Sequence, residues 1–254
     1  MPYIRSFQIN HLWSNQNIHW DDIHPDVNIL VGINGSFKTT LLRLMYEYFS
    51  GISTFQKKAQ CDIQSNPSLL DKDISLVYLD SIDVPARNKR LNASALMQEL
   101  NHVVFQNQEG NSFFNYRMRM LDMPDEKGKI EKRLNQLYGI INNLFEDTGK
   151  RVTLNQGSLG FIDKSDNIIS LEQLSAGEKQ LLLILMKVFL LDEKPAVVFM
   201  DEPELALHIR WQRQLIDTMI ALNPKAQFII TTHSPSVFSQ GWGDKAVYMD
   251  QLIR

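Results

Sequence analysis

The order of apolar and polar residues predicts β-strands at the start of the chain. Apolar and polar residues alternate over YIRSFQI (3–9) and over NIHW (17–20), as expected for strands with one buried face. VNILV (27–31) is a short apolar run, which is also typical of a strand. These segments are predicted to form N-terminal strands, the last of which enters a loop that contains glycine.

Helical spacing begins at Lys38. Apolar residues recur three or four positions apart as far as Phe49, and Gly51 is expected to end this helix. A polar link with little periodicity follows at residues 52–73. ISLVYLD (74–80) is predicted to be a buried strand because most of its residues are apolar.

Residues 85–149 differ from the flanking sequence because helical periodicity dominates there. The pattern is interrupted at Gly110 and around Pro124–Asp125, so more than one helix is expected. The last helix has an apolar face formed by Ile130, Leu134, Leu137, Ile140, Ile141 and Leu144. We predict that 85–149 is an inserted helical lobe and that 1–84 and 150–254 together form the core domain.

Strand and helix patterns alternate in the C-terminal part of the chain. Short strands are predicted at RVTLN, LGFID and NIIS (151–155, 159–163 and 167–170), and helices and strands then alternate from Leu174 onward. This alternation predicts parallel strands joined by crossover helices. The predicted fold class is therefore α/β, with a mixed or parallel sheet core, antiparallel N-terminal strands and the inserted helical lobe.

Composition and charge narrow the range of functions. The 254 residues are 44% hydrophobic and 22% charged, with a formal net charge of −3, values that are ordinary for a globular protein and give no global signal for nucleic acid. Cys61 is the single cysteine, so an internal disulfide and a thiolate metal cluster are excluded, which fits a reducing compartment. The most apolar run, 181–191, is too short to span a bilayer. A cytoplasmic protein without a membrane span is expected.

The stretch LVGINGSFKTT (30–40) nearly matches the phosphate-binding pattern G-x-x-x-x-G-K-[ST]. Gly32, Lys38 and Thr39 fit the pattern, whereas Phe37 stands where the second glycine is expected. Backbone N–H groups of such a loop converge on phosphate oxygens, and the dipole of the following helix adds to the attraction. The alternative is a glycine turn that only joins a strand to a helix.

If this loop binds ATP, its side chains have expected tasks. Lys38 places a cation on the β and γ phosphates, Thr39 ligates Mg²⁺, and the Thr40 hydroxyl lies near the α phosphate. The predicted nucleotide-binding residues of the loop are Asn34, Gly35, Ser36, Phe37, Lys38, Thr39 and Thr40.

Two adjacent carboxylates follow the apolar strand pattern in AVVFMDEPE (196–204). An acid at the end of a parallel strand lies at the nucleotide-binding edge of the sheet. Asp201 is expected to hold the metal through water, and Glu202 is expected to orient and deprotonate the attacking water. The alternative is a strand that ends in a solvated acidic turn.

The stretch LSAGEKQ (174–180) has two compatible interpretations. Ser175 and Glu178 have the spacing of a capping box that opens an apolar helix. Gly177 is a poor helix former in the first turn of that helix, which indicates a need for bare backbone there. A helix N-terminus with a serine and a glycine also binds anions, so Ser175 and Gly177 are candidate phosphate ligands.

FIITTHSP (228–235) predicts a buried strand that ends in two threonines and His233. If this strand lies beside the strand that precedes Asp201, the imidazole is expected to reach a γ phosphate and to donate a hydrogen bond to it. The alternative is a purely structural histidine, which is the commoner role of a lone histidine.

The order of these motifs is more specific than any one of them. A glycine loop with Lys38 and Thr39 is followed by L-S-x-G, then by an apolar strand with Asp201 and Glu202, then by a Thr-His pair after another strand. This order resembles the nucleotide-binding domain of ABC-type ATPases, roughly over Ile4–Gly51 and Leu171–Asp250. The forms EPELALH and TTHSP resemble the SMC and RecF branch, and more closely the compact ATPases of the overcoming-lysogenization and antiphage-defence type, which act on DNA or switch a toxic effector.

The resemblance implies a P-loop NTPase fold, ATP and Mg²⁺ as ligands, and a head-to-tail homodimer that sandwiches two ATP molecules. In such a dimer Ser175 and Gly177 bind the γ phosphate held by the partner chain, and Glu202 and His233 are the catalytic residues. The implied function is an ATP-hydrolysing dimeric switch that controls a separate effector protein or acts on DNA. The alternative is the cytosolic nucleotide-binding subunit of an ABC transporter.

Three departures from the family pattern bear on this function. Phe37 replaces a glycine whose missing side chain lets backbone approach phosphate, so its ring either narrows the loop or points away; ATP binding is expected to be retained, with slow hydrolysis as one consequence. Members of the family have a glutamine after the central strand, and this chain lacks it. Asp80 and Ser81 lie at about that place, but neither is assigned the role of the glutamine. Trp13 and Trp20 lie where an adenine-stacking aromatic is expected, but core packing is the favoured role for both.

Direct nucleic-acid binding is a further alternative, since the predicted lobe contains several basic residues. They are Arg87, Lys89, Arg90, Arg117, Arg119, Lys127, Lys129, Lys132 and Arg133. Acidic residues are interleaved with them, so a mixed, solvated helical surface is the preferred interpretation.

Overall fold

The computed structural model describes residues 3–81, 94–105, 112–155 and 158–254. Within these ranges the β-strands are β1 (Ser6–Leu12), β2 (Gln16–Trp20), β3 (Val27–Val31), β4 (Asp62–Asn66), β5 (Ser75–Leu79), β6 (Arg151–Asn155), β7 (Ser158–Ile162), β8 (Ile168–Ile169), β9 (Ala196–Asp201), β10 (Ala226–Thr232) and β11 (Ala246–Tyr248). The α-helices are α1 (Lys38–Ser50), α2 (Thr54–Ala59), α3 (Ala95–Val104), α4 (Phe113–Asp122), α5 (Lys127–Leu144), α6 (Ala176–Phe189), α7 (Ile209–Leu222) and α8 (Met249–Leu252).

Contacts divide the chain into two compact units. The first contains the described parts of 1–81 together with 193–204 and 224–254, and the second contains the described parts of 82–192 together with 205–223. The second unit begins near the start of the predicted helical lobe but continues well past its predicted end. The compact units thus differ from the predicted domain division, and a separate lobe at 85–149 stays a prediction.

The first unit contains a five-stranded parallel sheet with the order β11-β3-β10-β9-β5. The continuous apolar runs form its middle strands, because strands covered on both faces have no solvent side. Every residue of β9 and β10 is buried. The two strands pair in register as far as Asp201 with Thr231, so their carboxyl ends lie level. This confirms the predicted parallel core and the predicted proximity of the acidic turn to the strand before His233.

A second sheet of the first unit is antiparallel and has the order β2-β1-β4. The alternation of apolar residues predicted β1 and β2 correctly, since Phe7, Ile9 and Ile18 are buried between more exposed neighbours. The polar link at 52–73 proves to contain α2 and β4. The sequence of β4, DIQSN, carries no apolar alternation because none of its positions is fully buried. β5 is an edge strand and mostly half-buried, so the prediction of a buried strand there was wrong.

Helix α1 follows the glycine loop directly and is fixed by the core of the first unit. Leu41, Leu42, Leu44 and Met45 are fully buried in one hydrophobic cluster with side chains of β1, β2 and β9. The helix ends at Gly51, whose φ of 75° is a left-handed conformation that glycine adopts without steric cost. The position of the loop relative to the sheet therefore depends on this packing.

The second unit is mainly helical and includes α3 to α7 with a small antiparallel sheet of order β6-β7-β8. The three short strands predicted for this region are thereby confirmed. The apolar face predicted for α5 is also buried, apart from the half-buried Ile140. A 3₁₀ turn at Pro124–Glu126 separates α4 from α5, as the interrupted pattern predicted, whereas the predicted break at Gly110 lies outside the described residues.

Arg133 is a charged residue on the buried side of α5. Its side chain is 4% exposed, and its Nε lies 3.4 Å from a carboxylate oxygen of Asp192. The guanidinium also donates hydrogen bonds to the carbonyls of Phe189 and Leu222, at 3.1 and 3.3 Å. These carbonyls belong to the last residues of α6 and α7, where the helix dipole favours a cation. One buried cation thus holds two helix ends in the second unit.

The substitution Arg133→Ala is expected to lower the free energy of unfolding by about 3 kcal/mol or more, because it removes a buried cation from Asp192 and the donor from two carbonyls. The matched control is Lys132→Ala, an exposed neighbour that is expected to change this free energy by less than about 0.5 kcal/mol. Urea denaturation measures both. Equal effects of the two substitutions would contradict the role given to Arg133.

Candidate functional site

A cavity of about 380 Å³ lies in the first unit, where β3, β9 and β10 end. Its lining residues are Trp13, Asn34, Gly35, Ser36, Phe37, Lys38, Thr39, Thr40, Glu202 and His233. Open α/β sheets bind ligands beyond the carboxyl ends of their strands, and the volume is within the usual range of ligand pockets. The structure thus brings together all the loop residues predicted to bind nucleotide with both predicted catalytic residues.

Phe37 has a left-handed backbone conformation, with φ 69° and ψ 12°. A residue other than glycine adopts this conformation at a cost of about 1–2 kcal/mol, so the backbone here keeps the shape that the expected glycine would have. Gly35, two residues earlier, also has a positive φ, of 80°. The loop therefore has two residues with left-handed backbones, and the steric cost falls on Phe37 because it is not glycine.

The ring of Phe37 packs against Trp13, with 5.6 Å between the ring centroids and 43° between the planes. Trp13 is 47% exposed, and both residues line the cavity. The prediction that Trp13 serves core packing was therefore wrong, whereas Trp20 is buried in the core as predicted. Hydrophobicity alone does not separate the two tryptophans; Trp13 lies in the turn between β1 and β2, outside either strand.

Lys38 is 4% exposed and its ammonium group is surrounded by acceptors. The Nζ atom donates to the carbonyls of Gly32 and Ile33, at 3.0 and 3.2 Å, and lies 2.8 Å from Nε2 of His233. Burial lowers the pKa of Lys38, although three nearby carboxylates favour the charged form. The predicted phosphate-binding cation thus points into the loop, close to the predicted catalytic residues.

His233 and Glu202 are in direct contact, with 2.5 Å between Nε2 and Oε1. The same nitrogen also faces Lys38. A protonated Nε2 donates to Glu202, whereas an unprotonated Nε2 accepts from Lys38; one protonation state cannot satisfy both contacts. The hydrogen-bond partner of Nε2 therefore depends on which ring nitrogen of His233 carries the hydrogen. This geometry argues against the alternative that His233 is purely structural.

One carboxylate oxygen of Asp201 accepts hydrogen bonds from two hydroxyl groups. The Thr39 hydroxyl donates to Oδ1 at 3.0 Å and the Thr231 hydroxyl donates to the same atom at 2.6 Å. Thr231 also accepts a hydrogen bond from the N–H of Glu202 through its hydroxyl, at 3.1 Å. The sequence predicted Asp201 and Thr39 but gave Thr231 no role. Buried Asp201 is thus not part of a solvated turn, which was the alternative for this motif.

Glu202 has a positive φ of 47°. Left-handed conformations of residues other than glycine occur where the surrounding structure enforces them, often at functional sites. The enforcing contacts are the hydrogen bonds from its N–H to the carbonyl and hydroxyl of Thr231, both 3.1 Å. The side chain of Glu202 is thereby directed to the cavity.

The donor set fits phosphate and magnesium. Within the described ranges, the hydroxyl of Ser36 is buried without a hydrogen-bond partner. A bound ligand with an acceptor oxygen, such as a phosphate, would supply that partner. Thr39 and Asp201 supply oxygen ligands, and Mg²⁺ is commonly bound by one or two such side chains together with substrate phosphates. In the same ranges no group of three or more His, Cys, Asp and Glu side chains is placed to hold a metal ion.

Ser175 and Glu178, in the second unit, form the predicted capping box. The Ser175 hydroxyl accepts from the N–H of Glu178 at 3.2 Å, and the Glu178 carboxylate accepts from the N–H of Ser175 at 2.7 Å. Burial alone would raise the pKa of Glu178, but hydrogen bonds from Lys150, at 2.6 Å, and from the Ser175 N–H hold it below its ordinary value. The N-terminus of α6 is therefore rigidly built.

Gly177 is required for packing. A Cβ atom on Gly177 would lie 2.4 Å from the carbonyl oxygen of Ala206 and 3.5 Å from the ring of Trp211. The bare backbone inferred from the sequence is thus explained within the second unit, and it is not by itself a sign of an anion. Contact of Ser175 or Gly177 with a phosphate stays a prediction.

Among the basic residues considered for nucleic-acid binding, the described Arg119, Lys127 and Arg133 are engaged in ion pairs. Arg119 pairs with Glu126 and Asp192, and Lys127 lies 3.8 Å from Glu131. Arg87, Lys89 and Arg90 lie outside the described residues. None of the helices in the described parts is long and apolar enough to cross a membrane.

A protein-family model described as "AAA domain, putative AbiEii toxin, Type IV TA system" matches residues 56–239. The matched region is more than half of the chain and contains the motifs at 174–180, 196–204 and 228–235, but not the glycine loop.

Two relatives are named as ATPases of retrons. The "Retron Ec83 probable ATPase" of Escherichia coli is 22% identical over 209 residues, which cover 77% of this chain and 36% of that protein. The "Retron Vc95 probable ATPase" of Vibrio cholerae serotype O1 biovar El Tor is 30% identical over 100 residues, 35% of this chain and 20% of that protein. The match thus spans little more than a third of the length of the first relative and a fifth of the length of the second. The likeness to antiphage-defence ATPases is confirmed.

Solved structures of SMC heads share the fold. The SmcHead bound to the C-winged helix domain of ScpA has a TM-score of 0.57 at 14% identity, over 94% of this chain and 92% of that chain. The SMC head domain from Thermotoga maritima has a TM-score of 0.51 at 15% identity, over 93% and 91%. The predicted fold class, an α/β P-loop NTPase fold with a parallel sheet core and antiparallel N-terminal strands, is thereby confirmed.

The substitution Gly177→Ala is expected to lower the melting temperature clearly, since a Cβ at 2.4 Å from a backbone oxygen forces a shift that costs about 1–3 kcal/mol. The matched control is Gly139→Ala in α5, where a Cβ would meet nothing within 4 Å. That change is expected to stabilise the protein by about 0.5–1 kcal/mol. Thermal unfolding followed by circular dichroism compares them, and a neutral Gly177→Ala would refute the packing explanation.

Proposed function

Because the chain belongs to the family described as "AAA domain, putative AbiEii toxin, Type IV TA system", we propose that it is an ATPase that binds Mg²⁺-ATP in the cavity of the first unit and hydrolyses it. The observation that carries the proposal is the convergence of Lys38, Thr39, Asp201, Glu202 and His233 where three parallel strands end. The names of the two retron relatives, both probable ATPases, support it.

Binding of the nucleotide requires Lys38 to change partners. Its ammonium donates to the carbonyls of Gly32 and Ile33 and faces His233. Phosphate oxygens carry more negative charge than these acceptors and form stronger, charge-assisted hydrogen bonds. The β and γ phosphates therefore take over the ammonium group, and the N–H groups at the start of α1 bind the remaining oxygens. Thr39 and, through water, Asp201 would hold Mg²⁺, which would neutralise phosphate charge.

When the ammonium group of Lys38 moves from His233 to the phosphates, His233 and Glu202 remain as the two side chains that take part in hydrolysis. Glu202 orients a water molecule and accepts its proton as the oxygen attacks the γ phosphorus, while the bond to the β–γ bridging oxygen breaks and ADP leaves. His233 donates a hydrogen bond to the γ phosphate. Both side chains line the cavity, so neither needs a large movement to reach the phosphate.

The aromatic wall of the cavity is proposed to contact the base. Trp13 is the exposed partner of the pair that it forms with Phe37, and stacking on an aromatic ring stabilises a bound base by about 1–3 kcal/mol. Phe37 keeps Trp13 in place but gives the loop a side chain where other loops of this kind have none. We propose that this makes hydrolysis slow.

The hydrolysis cycle is proposed to work as a switch in a dimer. Two copies would pair head to tail, with Ser175 and Gly177 of one copy at the γ phosphate held by the other. The capped N-terminus of α6 supports this, because such helix ends attract anions. One SMC head of known structure is bound to a domain of ScpA; we propose likewise that a separate effector protein, or DNA, responds to the nucleotide state of this chain.

Two substitutions separate binding from hydrolysis. Lys38→Met is expected to weaken ATP binding at least about tenfold, since a charge-assisted hydrogen bond is worth about 1.5–3 kcal/mol. Glu202→Gln is expected to keep the ATP affinity but to lower kcat about 100-fold. Calorimetry and phosphate release measure these quantities, with the exposed Lys129→Ala as an unchanged control. ATP binding that survives Lys38→Met, or turnover that survives Glu202→Gln, would refute the assigned roles.

The aromatic pair predicts different effects of its two members. Trp13→Ala is expected to weaken ATP binding about tenfold, through loss of base stacking, but to leave the affinity for inorganic tripolyphosphate unchanged. Phe37→Gly is expected to raise kcat, because it removes the ring from the phosphate loop and keeps a residue that tolerates the left-handed backbone. If Trp13→Ala weakened the binding of ATP and of tripolyphosphate equally, base stacking by Trp13 would be contradicted. Slower turnover of Phe37→Gly would contradict the role given to Phe37.

A further inference from the structure

Glu204 is a buried carboxylate, two residues beyond Glu202, to which no function has so far been assigned. Its side chain is 5% exposed. Its Oε1 atom accepts hydrogen bonds from the hydroxyl of Thr232, from the N–H of His233 at 3.0 Å and from the N–H of Ser234 at 3.4 Å. Within the described part of the chain, its Oε2 atom is buried without a hydrogen-bond partner.

This arrangement is costly for the folded state. Burial raises the pKa of Glu204, although the hydrogen bonds from Thr232 and from the backbone oppose the rise. The unsatisfied Oε2 adds a penalty of about 1–3 kcal/mol. A buried carboxylate oxygen without a partner calls for an explanation other than stability.

The carboxylate of Glu204 joins two chain segments beyond the end of the pairing between β9 and β10, although Thr232 still pairs with Val31 of β3. The ladder between β9 and β10 ends with the pair Asp201–Thr231. Beyond that pair, Glu204 connects the turn after β9 to residues 232–234, the segment that carries the imidazole. That imidazole lies 2.5 Å from Glu202 and 2.8 Å from Lys38. A shift of this segment by a fraction of an ångström would break either contact.

We propose that Glu204 is a positioning residue, which holds His233 where its imidazole meets Glu202 and Lys38. Glu204 is not one of the described residues that line the cavity; its hydrogen bonds act on the backbone of His233 and Ser234. The geometric part of this inference stands on the structure alone. Its kinetic consequence rests on the proposed hydrolysis of ATP.

The test uses Glu204→Gln with a matched control. Glutamine keeps the shape and one oxygen, but it weakens the acceptor and buries an amide where Oε2 had no partner. The control is Glu47→Gln: Glu47 is also buried in the first unit and accepts backbone N–H groups, from Phe55 at 2.7 Å and from Gln56 at 3.3 Å, away from the cavity. Both substitutions are expected to destabilise the protein, so thermal unfolding does not separate them.

The imidazole signals of His233 do separate them. They are recorded in ¹H–¹⁵N spectra of the full chain without nucleotide and identified by their loss in His233→Asn. Glu204→Gln is expected to shift these signals, and Glu47→Gln to leave them unchanged. Signals that stay in place in a folded Glu204→Gln protein overturn the proposal. If that protein does not fold, Thr232→Val removes one donor at constant shape, and unshifted signals in this variant overturn the proposal equally.

Turnover gives the second readout. Glu204→Gln is expected to lower kcat about tenfold or more, since small displacements of catalytic groups have effects of this size, with KM changed less than about twofold. In a protein that already carries His233→Ala, Glu204→Gln is expected to change kcat little, because both substitutions act through the imidazole of His233. Full additivity would overturn the proposal. A wild-type chain that hydrolyses no ATP refutes the proposed function, while the shifted His233 signals still support the positioning role.

Discussion

One carboxylate oxygen joins the chain segments on which the candidate site depends. Oδ1 of Asp201 lies at the end of β9. It accepts one hydrogen bond from the hydroxyl of Thr39, at the start of α1, and another from the hydroxyl of Thr231, in β10. Because β3, β10 and β9 are consecutive parallel neighbours, these bonds fix the ends of the strands relative to the phosphate loop. An ionised acceptor makes such bonds roughly twice as strong as neutral ones. The cavity, Lys38 and the contact between Glu202 and His233 are arranged around this connection.

Three residues other than glycine with a left-handed backbone conformation line the same cavity. Phe37 and Glu202 both have left-handed conformations, as does Trp13 in the turn opposite Phe37. Each costs about 1–3 kcal/mol and persists only where the surroundings enforce it. Here the surroundings are the buried face of α1 on one side and the in-register pairing of β9 with β10 on the other. The paired strands and the packed helix therefore hold Phe37, Glu202 and Trp13 in left-handed conformations, and these conformations set the directions of their side chains.

Two positions show why a motif has to be tested against its structure. At position 37 the motif expects glycine and the chain has phenylalanine, yet the backbone still has the conformation that glycine favours. At position 177 the chain has the glycine of the signature, but the carbonyl of Ala206 already requires it. The family model begins at residue 56, so the interpretation of the phosphate loop depends on its geometry and not on that match.

The sequence by itself determined the parts of this protein that depend on local pattern. Apolar runs specified the central parallel strands, helical spacing specified the buried face of α5, and motif order indicated the fold and most cavity residues. Tertiary structure decided what local pattern cannot encode. It alone showed that polar β4 is a strand, because β1 supplies its pairing, that Trp13 and not Trp20 faces the cavity, and that Glu204 holds the turn of His233. Burial and partners of a side chain are set by residues distant in sequence, so periodicity and spacing do not contain them.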